Sequence, residues 1–82
     1  MERKTKGGNN KMTALKATMA GTVFTVNAAV GEEVTAGQVI IVLESMKMEI
    51  PVEAETAGKV VTINVQVGDF VNEEDVLATI EA

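Results

Sequence analysis

The chain contains a gapless internal repeat, and this feature limits its possible folds more than any other. Residues 20–44 align with residues 57–81 at a constant offset of 37, and ten of the 25 aligned positions are identical. A chance resemblance between two valine-rich segments would not keep glycines and an asparagine in register. The identical pairs include Gly21/Gly58, Asn27/Asn64 and Gly31/Gly68. We therefore expect two copies of one structural unit, related by a pseudo-twofold axis.

Each copy has the composition of short β-strands separated by turns. Val, Ile and Thr supply 27 of the 82 residues, and these residue types favour strands. A Val-Gly-acid triplet recurs at 30–32 and 67–69, where glycine suits a turn position with positive φ. No segment has apolar residues at a 3.6-residue period over the length of a helix. The sequence predicts an all-β fold of two four-stranded antiparallel sheets whose apolar faces pack together.

Missing residue types exclude several function classes. The chain has no His and no Cys, which excludes disulfides, Cys/His zinc sites and Ser-His or Cys-His catalytic pairs. No apolar run approaches the roughly 20 residues of a membrane-spanning helix, and no signal peptide is visible. We expect a cytoplasmic, soluble protein without direct membrane insertion.

Charge divides the chain into two parts. Residues 1–16 hold five basic residues and one acid, a net charge of +4, whereas the remainder holds two lysines and eleven acids, a net charge of −9. An acidic body argues against nucleic acid or an anionic membrane surface as a partner. We interpret residues 1–12 as a flexible leader, linker or tag and residues 13–82 as the folded domain.

The segment that follows the first copy predicts a tight hairpin. A two-residue turn of Met46 and Lys47 would pair residues whose numbers sum to 93, with Ser45 opposite Met48. This register places apolar residues of both strands, such as Leu43 and Ile50, on one face. Shifting the two strands by 37 in opposite directions predicts the equivalent pairs in the other half: Thr13 with Ile80, and Leu15 with Ala78.

This hairpin tip breaks two local rules. Tight hairpin turns favour Asn-Gly or Asp-Gly because their central residues need positive φ, and Met46-Lys47 is a poor choice there. Glu44 would also face Glu49 directly across the two strands, where like charges repel. Two unfavourable choices at one tip indicate a functional site.

Lys47 is better placed to be modified than to catalyse. A catalytic amine needs a pocket or a cationic neighbour, and a hairpin tip between carboxylates offers neither. A protruding lysine is accessible to another enzyme. Met46 and Met48 are flexible and polarizable and suit contacts with more than one partner, although the register also points Met48 towards the core face.

The tip resembles a known modification signature. The stretch Glu44-Ser45-Met46-Lys47-Met48-Glu49 resembles the E-[A/S]-M-K-M motif of the biotinyl domain family, the biotin carboxyl carrier proteins. The resemblance extends from about residue 14 to 82, and it includes the A-G-x-V start at 20–23 and the V-G-[E/D]-x-V turns at 30–34 and 67–71. It implies a flattened β-barrel, or barrel-sandwich hybrid, with a pseudo-twofold repeat.

The resemblance also implies a function. Lys47 would carry biotin in amide linkage, attached by a biotin protein ligase that uses ATP. The domain would be a non-catalytic carrier that takes CO2 as carboxybiotin from a biotin carboxylase to a carboxyltransferase or a decarboxylase. It implies no catalytic residue and no metal site. The residues recognised by the ligase or later partners would be Glu44, Ser45, Met46, Met48 and Glu49.

Two alternatives stay open. Lipoyl domains resemble biotinyl domains in fold and carry a lysine at the same tip, but usually with an acid immediately before it, where this chain has Met46. An unmodified interaction module would use the tip as a docking epitope. Within the biotinyl family, the gapless repeat leaves no room for the protruding thumb that some carriers insert, here near 25–30, so the chain resembles the thumbless type.

Overall fold

A computed structural model describes residues 11–82, and every regular element in this range is a β-strand. That part of the chain contains no helix that is long and apolar enough to cross a membrane. Most of the predicted leader, residues 1–10, lies outside the described residues. The strands are β1 (Met12–Lys16), β2 (Gly21–Val26), β3 (Glu33–Val34), β4 (Val39–Ser45), β5 (Met48–Glu53), β6 (Gly58–Ile63), β7 (Phe70–Val71) and β8 (Val76–Glu81).

The strands form two four-stranded antiparallel sheets, as predicted. One sheet has the order β1-β8-β6-β3 and the other has the order β5-β4-β2-β7. The short strands β3 and β7 are exchanged, because each pairs with a strand of the other copy of the repeat. This exchange joins the two copies into one domain.

The predicted register is confirmed in both halves. In the first hairpin Leu43 pairs with Ile50, and the numbers of the paired residues sum to 93 from Ser45↔Met48 to Ile41↔Val52. Between β1 and β8, Thr13 pairs with Ile80 and Leu15 pairs with Ala78. β1 begins at Met12, the last residue of the predicted leader, which pairs with Glu81.

The repeat also governs where the strands are irregular. The pairing of β2 with β4 shifts between Val23 and Thr25, and the pairing of β6 with β8 shifts at the equivalent place, between Val60 and Thr62. Such bulges bend a strand and increase its twist. Bulges at equivalent positions therefore curve both sheets in the same way.

The core between the sheets is aliphatic. The described residues include no buried polar or charged side chain, and both phenylalanines are exposed: Phe24 at 45% and Phe70 at 66%. The largest fully buried side chains are Ile40, Ile41, Leu43, Leu77, Ile80, Val23 and Val60.

Side chains in the turns form hydrogen bonds with the backbone of the same turn, and these bonds occur in pairs related by the repeat. Each of four turns has a side-chain oxygen that accepts a hydrogen bond from the backbone N–H three residues earlier. The bonds are Ala29 N to Glu32 Oε1 (3.1 Å), Gln66 N to Asp69 Oδ2 (2.9 Å), Thr35 N to Gln38 Oε1 (3.1 Å) and Asn72 N to Asp75 Oδ2 (2.9 Å). Three acids of the body therefore have a structural role in the turns.

Candidate functional site

The turn between β4 and β5 is strained in the way that the sequence predicts. Met46 and Lys47 occupy its two central positions with φ values of 52° and 66°, respectively. Two consecutive positive φ angles are typical of a type I′ turn, in which Asn and Gly are favoured. A left-handed conformation costs a residue with a side chain roughly 1–2 kcal/mol. The surrounding strands must supply that free energy.

The strands below the turn are anchored in the core. Leu43 is completely buried, and its partner Ile50 packs against the core from β5. The start of β2 supports the hairpin from the other side, since a Cβ atom on Gly21 would lie only 2.9 Å from the Glu44 carbonyl oxygen. This close approach requires glycine at position 21. β4 therefore has a paired strand on both sides up to Glu44, two residues before Met46.

The side chains at the tip project into solvent. Met46 is 90% exposed, Lys47 is exposed, and Ser45 is partly buried at the end of β4. Within residues 11–82 no carboxylate forms an ion pair with Lys47. Neither of two surface grooves, one beside β1 and one beside β3, includes the turn. The Lys47 amine is therefore accessible from outside.

Met48 does not pack in the core, although the predicted register points it towards the core face. Its register places it on the same face as Ile50, but its side chain is 61% exposed. The reason is depth: Met48 is the first residue of β5 and lies beyond the last buried layer, which contains Leu43. Met46 and Met48 therefore present apolar surface on either side of Lys47.

Two carboxylates lie directly below the turn. Glu44 pairs with Glu49 across β4 and β5, as predicted, and both side chains are exposed. The pairing continues across the sheet, because Thr22 of β2 pairs with Glu44 and Phe70 of β7 pairs with Thr22. We call the set Phe70, Thr22, Glu44 and Glu49 the tip row. Phe70 and Thr22 were not among the predicted site residues, although the repeat distinguishes them by having Glu33 and Lys59 at the equivalent positions.

The two ends of the described residues, Lys11 and Ala82, meet at the end of the domain opposite Lys47. The Ala82 N–H donates a hydrogen bond of 2.9 Å to the Lys11 carbonyl oxygen. From Lys47, β5 leads away from the turn, and the chain then reaches Gly58, which lies against the Glu81 carbonyl. The length of β5 and the loop after it thus separates Lys47 from both ends of the described chain.

Comparison with known proteins agrees with this geometry. The model of a family described as "Biotin-requiring enzyme", the biotin/lipoyl domains, matches residues 13–80. A "Biotin/lipoyl attachment protein" of Bacillus subtilis (strain 168) is 48% identical over 37 residues, which are 45% of this chain and 51% of that protein. The matched region therefore spans about half the length of that relative.

Two similar solved structures belong to much longer chains. A single-chain, multi-domain long-chain acyl-CoA carboxylase matches with a TM-score of 0.78 and 38% identity, over 83% of this chain and 7% of that one. The urea carboxylase of Kluyveromyces lactis matches with a TM-score of 0.81 and 35% identity, over 95% of this chain and 7% of that one. The family match covers most of the sequence, and the fold, the repeat and the hairpin agree with it: the chain belongs to the biotin/lipoyl attachment domain family.

Proposed function

We propose that this domain is the biotin carrier of a carboxylase or a related decarboxylase system and that Lys47 is the residue that is biotinylated. The observation that carries the proposal is the exposed lysine in a left-handed, two-residue turn at the end of the domain opposite Lys11 and Ala82. A free amine presented in this way can be acylated by another enzyme.

The residues at the tip fit a covalently attached acid such as biotin. Formation of the amide needs an accessible amine, and Lys47 is exposed and makes no ion pair with a carboxylate of residues 11–82. The exposed side chains of Met46 and Met48 can lie against an apolar surface of an enzyme that receives the turn. When attached, biotin would supply the chemistry of carrying a carboxyl group.

The protein's own contribution is presentation rather than catalysis. β4 and β5 hold Lys47 beyond the core, and the short turn limits the directions in which its side chain can leave the domain. A linker at either end would start far from Lys47 and leave the tip free to enter the site of a carboxylase, a carboxyltransferase or a decarboxylase. Tethering raises the effective concentration of the carried group at each site that the linker can reach. The gapless repeat supports the thumbless type of carrier.

Two observations favour biotin over lipoate. Met46 occupies the position before the lysine, where lipoyl domains usually have an acid. Two similar solved structures are an acyl-CoA carboxylase and a urea carboxylase.

The test is to offer the purified protein both modifications. One sample receives a biotin protein ligase, biotin and ATP; the other receives a lipoate ligase, lipoate and ATP. Intact-mass spectrometry should show one biotinoyl group per chain in the first sample and no lipoyl group in the second. Met46→Glu serves as the matched variant, because it restores the acid typical of lipoyl domains and should reduce biotinylation. A lipoyl group on the wild-type protein without biotinylation would favour the lipoyl carrier, and no modification would favour the interaction module.

A further inference from the structure

The fold of the domain does not require the particular side chains of the tip row. The inference that follows from them rests on the proposed function. We propose that the tip row is the docking surface for the enzyme that acylates Lys47. That enzyme would place a cationic side chain against Glu44 and Glu49 and an apolar contact over Phe70.

The row forms one continuous strip on the outer face of its sheet. Its members pair in sequence across all four strands, from Phe70 to Thr22, Glu44 and Glu49. Their neighbour Leu43 is buried on the opposite face. With strands about 4.8 Å apart, the strip is roughly 14 Å long, and Glu44 lies only two residues, roughly 7 Å, below Met46. An enzyme that covers the strip therefore also surrounds the turn.

The internal repeat supplies a natural comparison for this strip. At the other end of the molecule, the equivalent positions are occupied by Glu33, Lys59, Glu81 and Met12, and these residues pair across β3, β6, β8 and β1. There Lys59 stands between two glutamates, so opposite charges are adjacent. The same backbone arrangement can thus carry a row in which opposite charges are adjacent.

The tip row has no positive charge beside its glutamates. Thr22 replaces the lysine, so Glu44 and Glu49 face each other without a neighbouring cation in the row, and Phe70 replaces a glutamate with an aromatic side chain that is 66% exposed. Single exposed apolar residues are common and need no explanation. Here the exposed aromatic and the uncompensated acid pair occur in one row, beside Lys47. Their combination fits a partner surface that has both positive charge and an apolar patch.

The acylating enzyme is the partner that this position favours. It must bring its reacting group to Lys47 Nζ itself, whereas an enzyme that receives a group carried on the extended side chain can stay farther from the row. In the reaction the neutral amine attacks the ATP-activated carboxyl group of biotin. The C–N bond forms, the bond to the activating group breaks, and the amine loses a proton.

The experiment exchanges residues between the two equivalent rows. Phe70→Glu and Thr22→Lys introduce the far row's residues into the tip row, and Glu33→Phe and Lys59→Thr make the reverse changes in the far row. Rates of biotinylation are measured with a purified biotin protein ligase, biotin and ATP. Both tip-row variants should lose about tenfold or more in kcat/KM, mainly through KM, as expected for the loss of an interface anchor. Both far-row variants should stay within about twofold of wild type, and Phe70→Leu should recover most of the loss.

Separate outcomes test the inference and the proposed function. If the wild-type protein is not biotinylated at all, the proposed function fails. If it is biotinylated and the tip-row variants react at the wild-type rate, the docking surface is wrong while the proposed function stands. Normal biotinylation of these variants with slower carboxylation by a complete carboxylase would assign the row to a later partner and also overturn the inference. Thermal unfolding of each variant checks that the fold is retained.

Discussion

Gly37 and Glu74 occupy equivalent positions in the two copies of the repeat, and both have a left-handed backbone, with φ values of 87° and 76°. Their N–H groups make equivalent hydrogen bonds, from Gly37 to the Ala54 carbonyl (2.8 Å) and from Glu74 to the Ala17 carbonyl (2.9 Å). The turn thus requires the same conformation in both copies, but only the first has a glycine there.

Glu74→Gly should therefore stabilise the domain. Removing the left-handed penalty of roughly 1–2 kcal/mol, less the larger entropy of glycine in the unfolded chain, gives an expected gain of about 0.5–1 kcal/mol. The ion pair lost with Glu74, at 3.9 Å from Lys16, is exposed and contributes little. Urea denaturation measures the change. Gly37→Ala is the matched variant and should destabilise by about 1 kcal/mol; a less stable Glu74→Gly protein would contradict the interpretation.

Replacing the central turn residues should separate stability from function. In the double variant Met46→Asn/Lys47→Gly, the turn residues suit the observed φ values, and we expect a gain of about 1 kcal/mol in the free energy of unfolding. The variant should accept no biotin. Chemical denaturation and mass spectrometry on the same sample test both parts, and a loss of stability would show that the turn is not strained by Met46 and Lys47.

The repulsion between the carboxylates of Glu44 and Glu49 should lower the stability of the domain by a measurable amount. Glu49→Gln removes one charge of the Glu44/Glu49 pair and should stabilise the domain by roughly 0.2–1 kcal/mol at low salt. The gain should shrink as salt is added, because exposed charges are screened. Glu53→Gln, on the same strand but opposite Val39, is the control and should have little effect. Equal effects for both variants, or a gain that does not depend on salt, would contradict a specific repulsion at the tip.

The register was predictable from the sequence because one hairpin and one offset determine it. The short turn at Met46-Lys47 fixes the pairs of β4 with β5, and the offset of 37 transfers them to Thr13 and Ile80. Alternating side chains allow only one such register to bury the apolar face.

Features that depend on tertiary packing were not predictable in this way. The alternation of a strand gives the face of Met48 but not its depth, and the core ends before that residue. The bulge between Val23 and Thr25 adds a residue without any glycine or proline to mark it. The exchange of β3 and β7 depends on how the two copies wrap around each other, which two-residue strands do not reveal.

At the candidate site, Lys47 and its immediate neighbours could be proposed from the sequence because the motif is continuous along the chain. The proposed contribution of Phe70 depends on strand order, since β7 lies beside β2 only in the folded sheet. A motif contains only residues that are close in sequence, so it does not reveal Phe70. Once the strand order is known, the alignment of the exposed Phe70 with Glu33 in the other copy marks the position as unusual.

Site mapping after biotinylation shows whether Lys47 is the residue that is modified. The wild-type protein, Lys47→Ala and Lys47→Arg are each incubated with a biotin protein ligase, biotin and ATP, and the products are digested and analysed by mass spectrometry. We expect a biotinoyl group on Lys47 of the wild-type protein only, because a guanidinium stays protonated and is a poor nucleophile. Both variants should keep wild-type stability to within roughly 0.5 kcal/mol, since the residue is exposed. Biotin on another lysine, or a Lys47→Ala protein that is still biotinylated, would contradict the account.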